Sequence, residues 1–181
     1  KRKDELTDVK IRGHLIMQPM QTVECDPERE HFIYNSWHCS GYERKLCDRG
    51  LCNYIPMVYR NVGPYYTKYL DVNVAMMAVP PMDNHGYFNF SVNNSIARET
   101  LDKADIIILE INEALPRVYG GFDELIHISE VDMIVEGEHD PLPTLASPAA
   151  TDVDEAIAKI VVEQLVDGST IQLGIGGMPN A

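Results

Sequence analysis

The sequence lacks the features of a membrane span, a disulfide-stapled peptide or a disordered tail. No apolar run in its 181 residues approaches the roughly 18–20 that a spanning helix needs. The longest, Val74 to Met82, is interrupted by Pro80 and Pro81. Its 12 glycines and 11 prolines are too few for a low-complexity chain, and hydrophobic residues at 45% leave ample material for a core. The N-terminal Lys1-Arg2-Lys3-Asp4-Glu5 is followed by polar residues rather than the apolar stretch of a secretory signal, so the cytoplasm is the expected compartment. Positive charge is scarce in the second part: residues 120–181 hold Lys159 as their one Lys or Arg against 12 Asp and Glu, within a net charge of -13. Such a surface repels polyanions, which argues against nucleic acid and against anionic lipid as partners. Cys25, Cys39, Cys47 and Cys52 include no Cys-x-x-Cys pair. A zinc site from His38, Cys39, Cys47 and Cys52 meets the usual ligand spacing only by half, so the four are read as reduced thiols and no metal is expected.

What the sequence does contain is alternation of strand and helix signals, the pattern of an α/β sheet. Val9–Met17 reads as a short strand or hairpin, Phe32–Tyr34 as a strand, and Tyr54–Tyr59 as another. Between the last two, Ser40 with Glu43 three positions on is a capping box, and Gly50 is placed to end the helix. Asp71–Val79 is a buried-strand candidate closed by Pro80-Pro81 and the turn-forming Asp83–Gly86. Asn94 or Ser95 is expected to cap a helix running to Lys103. The continuous apolar run in Asp105–Glu110 suits a parallel strand covered on both faces.

The Pro-rich stretch from Asp140 to Pro148 reads as a connection, giving domains 1–147 and 148–181. Beyond it Thr151 and Asp154 open a helix with apolar residues at helical spacing, stopped by Gly168 and followed by a strand at Ser169–Leu173. The chain does not begin with Met, and it stops at Ala181 just after a glycine turn and a Pro that open a further helix, so it is read as an internal fragment.

The strongest local signal for chemistry is Gly174-Ile175-Gly176-Gly177-Met178-Pro179. Glycines after a strand let backbone approach a ligand, and free N–H groups at a helix start favour a phosphate, a pyrophosphate or a thioester carbonyl. Pro179 stands where a dinucleotide fingerprint has its last glycine, and there is no P-loop lysine, so a plain strand-to-helix turn stays open. Glu110, Asn112 and Glu113 end the Ile-rich strand, at the edge where α/β sheets place ligands. Either carboxylate could act as base or nucleophile, or be solvated or paired with Arg117. His38, beside Trp37, and His85, between Asp83 and Gly86, sit in polar loops where acid–base work or a structural role is open to each. No Gly-x-Ser-x-Gly elbow marks a serine nucleophile.

Several long segments resemble one family in order along the whole chain. They are Asn35-Ser36-Trp37-His38 with Ser40-Gly41-Tyr42, Gly50–Pro56, Pro81-Met82-Asp83 with His85–Phe88, Ile126–Gly137 and Asp167–Ala181. Together they resemble the acetyl-CoA hydrolase/transferase branch of the CoA-transferases, especially the butyryl-CoA:acetate and 4-hydroxybutyrate enzymes. The resemblance implies an open, mostly parallel α/β sheet of the CoA-transferase type, with most of a first domain and the start of a second similar one. It implies coenzyme A thioester as substrate with no permanently bound cofactor, acetate or another short carboxylate as acceptor, and homo-oligomers. By the same resemblance, acyl exchange is ping-pong through a glutamyl-CoA thioester. Gly174, Ile175, Gly176, Gly177 and Met178 match the loop that contacts CoA. The family's nucleophilic glutamate falls beyond Ala181, so no catalytic residue is expected in this chain, and the chain alone is expected to be inactive. An acetyl-CoA hydrolase of the same family and a non-catalytic nucleotide-binding α/β module are the alternatives.

Overall fold

A computed structural model describes residues 2–144 and 149–181. Its backbone divides into two units, Lys1–Leu142 and Pro143–Ala181. The sequence boundary expected between 147 and 148 falls on residues outside the described set.

The first unit opens with strand β1 (Val9–Gly13), a single turn α1 (Gln21–Glu24), β2 (Phe32–Ser36), α2 (Gly41–Asp48) and a two-residue β3 (Asn53–Tyr54). The three strands form a parallel sheet in the order β1-β2-β3. The capping box at α2 forms: Ser40 Oγ accepts from Glu43 N–H, and a Glu43 carboxylate oxygen accepts from Ser40 N–H. Gly50 follows with φ 73°, a left-handed conformation in which glycine has no Cβ penalty. The strand expected at Tyr54–Tyr59 ends instead at Tyr54. Ile55 N–H still bonds Ser36 O at 2.8 Å, but Pro56 has no N–H with which to continue the ladder.

Helix α3 (Val62–Tyr69), which the sequence reading did not anticipate, leads into β4 (Val72–Val79); then follow β5 (Tyr87–Asn89), α4 (Ala97–Lys103), β6 (Ala104–Ile111), β7 (Leu125–His127) and β8 (Met133–Glu136). β4, β6 and β8 form a second parallel sheet with β6 in the middle, while β5 and β7 pair antiparallel. Neither Asn94 nor Ser95 caps α4 through its side chain. Ile96 holds the N-cap position, Ala97 N–H bonds Asn94 O, and Ser95 Oγ is engaged by Tyr59 Oη at 2.8 Å.

The cores follow from these placements. Ala75 and Val79 of β4, Ile107 and Leu109 of β6, Ala97 and Leu101 of α4, Phe88 of β5 and Ile126 of β7 pack as one cluster. β6 is thus parallel as expected, yet it is covered on one face only: Leu109 is fully buried while Ile106 stays 36% exposed. Among the described residues, α4 and the β5–β7 pair cover that buried face. Around the first sheet Val23, Tyr34, Leu46, Leu51 and Cys52 form a second cluster, and Trp37, Val62, Tyr66, Leu70 and Ile96 a third.

In the second unit, α5 (Asp152–Val162) starts with the expected capping box between Thr151 and Asp154. It ends six residues before Gly168, because Gln164 and Leu165 N–H turn back to carbonyls three residues earlier. Ser169–Leu173 is not a strand; a strand needs a ladder partner, and it has none among the described residues. One helical turn, α6 (Gly177–Asn180), follows the glycine loop. No helix among the described residues is long and apolar enough to cross a membrane.

Candidate functional site

Parallel strands bring their carboxyl ends to one edge, where open α/β sheets gather ligand-binding side chains. In the first sheet His14 follows β1 and Trp37-His38 follows β2, with the β1 and β2 ends in register at Gly13 and Ser36. Trp37 is buried, and its ring lies 4.6 Å from His14, 5.7 Å from His38 and 5.8 Å from Tyr59, centroid to centroid. Its Nε1–H has no hydrogen-bond partner. A crevice of about 10 Å³ beside it, lined also by Arg12, Asn35 and Tyr65, is the size of one water molecule. Burial holds His14 below the ordinary histidine range, against the opposing pull of Glu43, which favours a neutral ring with one donor and one acceptor nitrogen. His38, the histidine singled out in the sequence, is exposed at the rim. His14 was missed, although its position directly after a strand-ending Gly13 is the signal that marks this edge.

Beneath this edge Glu43 is fully buried and joins three elements. Its Oε1 accepts from Tyr34 Oη at 2.5 Å, and its Oε2 accepts from Ile16 N–H at 3.0 Å and Ser40 N–H at 2.8 Å. Burial, with the Glu43 carboxylate beside it, drives the Tyr34 phenol far above its usual range, so the hydroxyl stays a donor. Ser40 Oγ in turn donates to Ile16 O.

The second sheet places Glu110, Asn112 and Glu113 at the carboxyl end of β6, as expected. Asn112 is 8% exposed and structural: its N–H bonds Val79 O, its Nδ2 donates to Asp140 O, and its Oδ1 accepts from Ala114 N–H. Glu110 packs over Gly137, where an added Cβ would meet its Oε1. Arg117 pairs with neither glutamate. It meets Asp83 at 3.0 Å instead. Glu113, Glu136 and His139 bring one ligand atom each within 4.8 Å of one another, a solvent-facing set that could hold a divalent cation. Glu136 and His139 carried no role in the sequence reading.

Asp83 organises the turn rather than a reaction. Its Oδ1 accepts from His85 and Tyr87 N–H at 2.9 Å each, and its carboxyl sits below the usual range, chiefly through the Tyr87 N–H. His85 itself is exposed. The four cysteines are free thiols, and Cys39, Cys47 and Cys52 gather within 4.8 Å of one another, without His38.

In the second unit Gly176 adopts φ 143°, a conformation that L side chains rarely take. Ile175 is 94% exposed and Met178 43%, and a Cβ added at Gly174 or Gly176 would meet Pro179 at 3.8 and 3.6 Å. Gly174 is exposed, and Gly176 and Gly177 are half-buried.

Comparison with known proteins matches residues 1–146 to the acetyl-CoA hydrolase/transferase N-terminal domain. The chain is 50% identical over its whole length to the butyryl-CoA:acetate CoA-transferase of Anaerostipes caccae, covering 41% of that protein. It is 43% identical to a probable butyrate:acetyl-CoA coenzyme A-transferase of Syntrophomonas wolfei, again over the whole chain and 40% of the relative. The chain thus spans about two fifths of the length of these curated relatives. Among solved structures, RipA from Yersinia pestis superposes with a TM-score of 0.86 at 29% identity, over 98% of this chain and 42% of that one. A 4-hydroxybutyrate CoA-transferase from Porphyromonas gingivalis shares the fold, with a TM-score of 0.66 at 23% identity over 96% of this chain and 46% of that one.

Proposed function

Since this chain belongs to the acetyl-CoA hydrolase/transferase family, we propose that it is part of an acyl-CoA:acetate CoA-transferase with butyryl-CoA or 4-hydroxybutyryl-CoA as donor. The observation that carries this is the 50% identity, without loss of coverage, to a butyryl-CoA:acetate CoA-transferase. In the reaction a glutamate carboxylate attacks the thioester carbonyl, and CoA thiolate leaves as an acyl-glutamyl anhydride forms. The thiolate then attacks the glutamyl carbonyl, releasing the acyl group as its carboxylate and leaving a glutamyl-CoA thioester. Acetate reverses both steps and departs as acetyl-CoA. Glu110 and Glu113 are not given the nucleophile's role, and the 181-residue chain is not expected to exchange CoA by itself.

Within this reading Gly174, Ile175, Gly176, Gly177 and Met178 contact coenzyme A. Support comes from the exposure of Gly174 and Ile175 and the Gly176 conformation that an added side chain would strain. The edge holding His14, Trp37 and His38 would belong to the part facing the acyl group or carboxylate. Coenzyme A enters as substrate, no cofactor is held permanently, and the whole enzyme would be a cytoplasmic homo-oligomer.

The family description also names hydrolases, which makes an acetyl-CoA hydrolase the second reading. The test is to express the whole protein, incubate it with butyryl-CoA, reduce with borohydride and map the modified residue by mass spectrometry. A reduced glutamate supports the transferase. Release of free CoA without acetate identifies the hydrolase, and an intact thioester with no modified residue refutes both.

A further inference from the structure

Cys39, Cys47 and Cys52 are separated in sequence and joined by the fold. Cys39 lies in the turn from β2 into α2, Cys47 near the end of α2, and Cys52 directly before β3. Their sulfurs all lie within 4.8 Å of one another, and Cys39 and Cys47 are 4.0 Å apart. None is in a disulfide; Cys52 is buried and the other two are half-buried. We propose that these three cysteines bind one thiophilic divalent cation, Zn(II), as a three-thiolate site independent of acyl exchange.

Geometry is the first argument. Zn–S bonds of about 2.3 Å make the edge of a sulfur tetrahedron about 3.8 Å long. The Cys39–Cys47 distance is nearly that already, and closing the others takes about 1 Å, within reach of small side-chain rotations. Ligand chemistry is the second. An all-sulfur set selects soft or borderline cations over magnesium or calcium.

Charge balance is the third: three thiolates this close together would repel one another. A dication removes that repulsion: three S–H bonds give their protons to solvent as three Zn–S bonds form, leaving one net negative charge. The Glu43 carboxylate and Tyr34 hydroxyl are committed to one another and to backbone and supply no fourth ligand. Bound metal would tie β2, α2 and β3 together.

The reduced, metal-free 181-residue chain is titrated with Zn(II) against a chromogenic chelator, and with Co(II) as a spectroscopic substitute. The expected result is one ion per chain and a thiolate-to-cobalt charge-transfer band. Cys39→Ser, Cys47→Ser and Cys52→Ser should each weaken binding by about a hundredfold or more, as losing a ligand exceeds the cost of losing an outer-shell partner. Cys25→Ser, at an exposed thiol outside the group, should leave it unchanged. Alkylation of the unsubstituted chain gives a second readout that no folding defect can mimic: Zn(II) should slow labelling of the half-buried Cys39 and Cys47 and leave the exposed Cys25 unchanged. Absence of the charge-transfer band, or equal labelling of Cys39 and Cys47 with and without Zn(II), overturns the proposal.

Discussion

Removing the buried carboxylate of Glu43 should strongly destabilise the first unit. Glu43→Ala leaves three donors without an acceptor. Two of them, Tyr34 Oη–H and Ser40 N–H, are buried, and Ile16 N–H is partly accessible to water. An unsatisfied buried donor costs about 1–3 kcal/mol, so two of them, less the desolvation relieved by removing the charge, come to about 2–4 kcal/mol. With a urea slope of about 2 kcal/mol per molar, the midpoint should fall by about 1–2 M. Glu43→Gln should be much milder, at about 1 kcal/mol. Its amide oxygen can take the place of Oε2 and serve both backbone N–H groups, while its NH₂ donates to Tyr34 Oη. Urea unfolding followed by the fluorescence of Trp37, the one tryptophan, reads this unit directly. A coupling above about 1 kcal/mol between Glu43→Ala and Tyr34→Phe would confirm that they share the bond. A loss below about 1 kcal/mol for Glu43→Ala would refute the reasoning, and equal losses for Ala and Gln would show that charge rather than acceptor geometry matters.

Three further outcomes follow from single sites. Asp83 has its carboxyl held low in the folded state, so its contribution is full above the ordinary carboxylate range and is lost as pH falls through the lowered value. Asp83→Asn should therefore lower the melting temperature at neutral pH and match the parent chain in acid; a gap that widens on acidification would reject this. Gly86 has φ +85° and would place a Cβ 2.8 Å from His127 Nε2. Gly86→Ala should cost about 1–2 kcal/mol in thermal unfolding, and a neutral result would mean the turn relaxes freely. His14 is held below the histidine value of 6.5 by burial, so its neutral ring favours folding above that value and the benefit is lost as pH falls through the lowered one. Because it stacks on Trp37, tryptophan fluorescence should titrate with a midpoint below 6.5, and His14→Gln should abolish the transition. Abolition by His38→Gln instead would assign it to the wrong ring.

Where local chemistry decides the structure, it was legible in the sequence. The Ser40–Glu43 and Thr151–Asp154 boxes each form because donor and acceptor lie within one helical turn, and the apolar runs of β4 and β6 are long enough to declare strands. Where the outcome depends on a distant partner, sequence patterns failed. Ser95 looks like a cap until Tyr59, 36 residues away, takes its hydroxyl. Ser169–Leu173 has strand composition but no ladder. The same holds for the sheet edge: Glu110, Asn112 and Glu113 could be placed at the carboxyl end of β6 because the strand itself is recognisable. Their partners in space could not be read from adjacency, since Arg117 turns to Asp83 and His139 comes to Glu113 across 26 residues. Cys39, Cys47 and Cys52 were weighed in the sequence with His38 as a half-matched zinc set, and their mutual approach without His38 is visible only in the fold.

The central position of β6 sets how the first unit should exchange its amide protons in heavy water. β6 has a neighbour on each side, β4 and β8, whereas each of those has one. An edge strand can lift away alone and return, and its deuterium uptake then reports that brief, local opening. The β6 amides become accessible only when the sheet has lost a side, and the buried Ile107 and Leu109 oppose that loss. The slowest-exchanging protons of the β4-β6-β8 sheet should therefore lie in Ala104–Ile111, and their rate should track the unfolding free energy of that sheet.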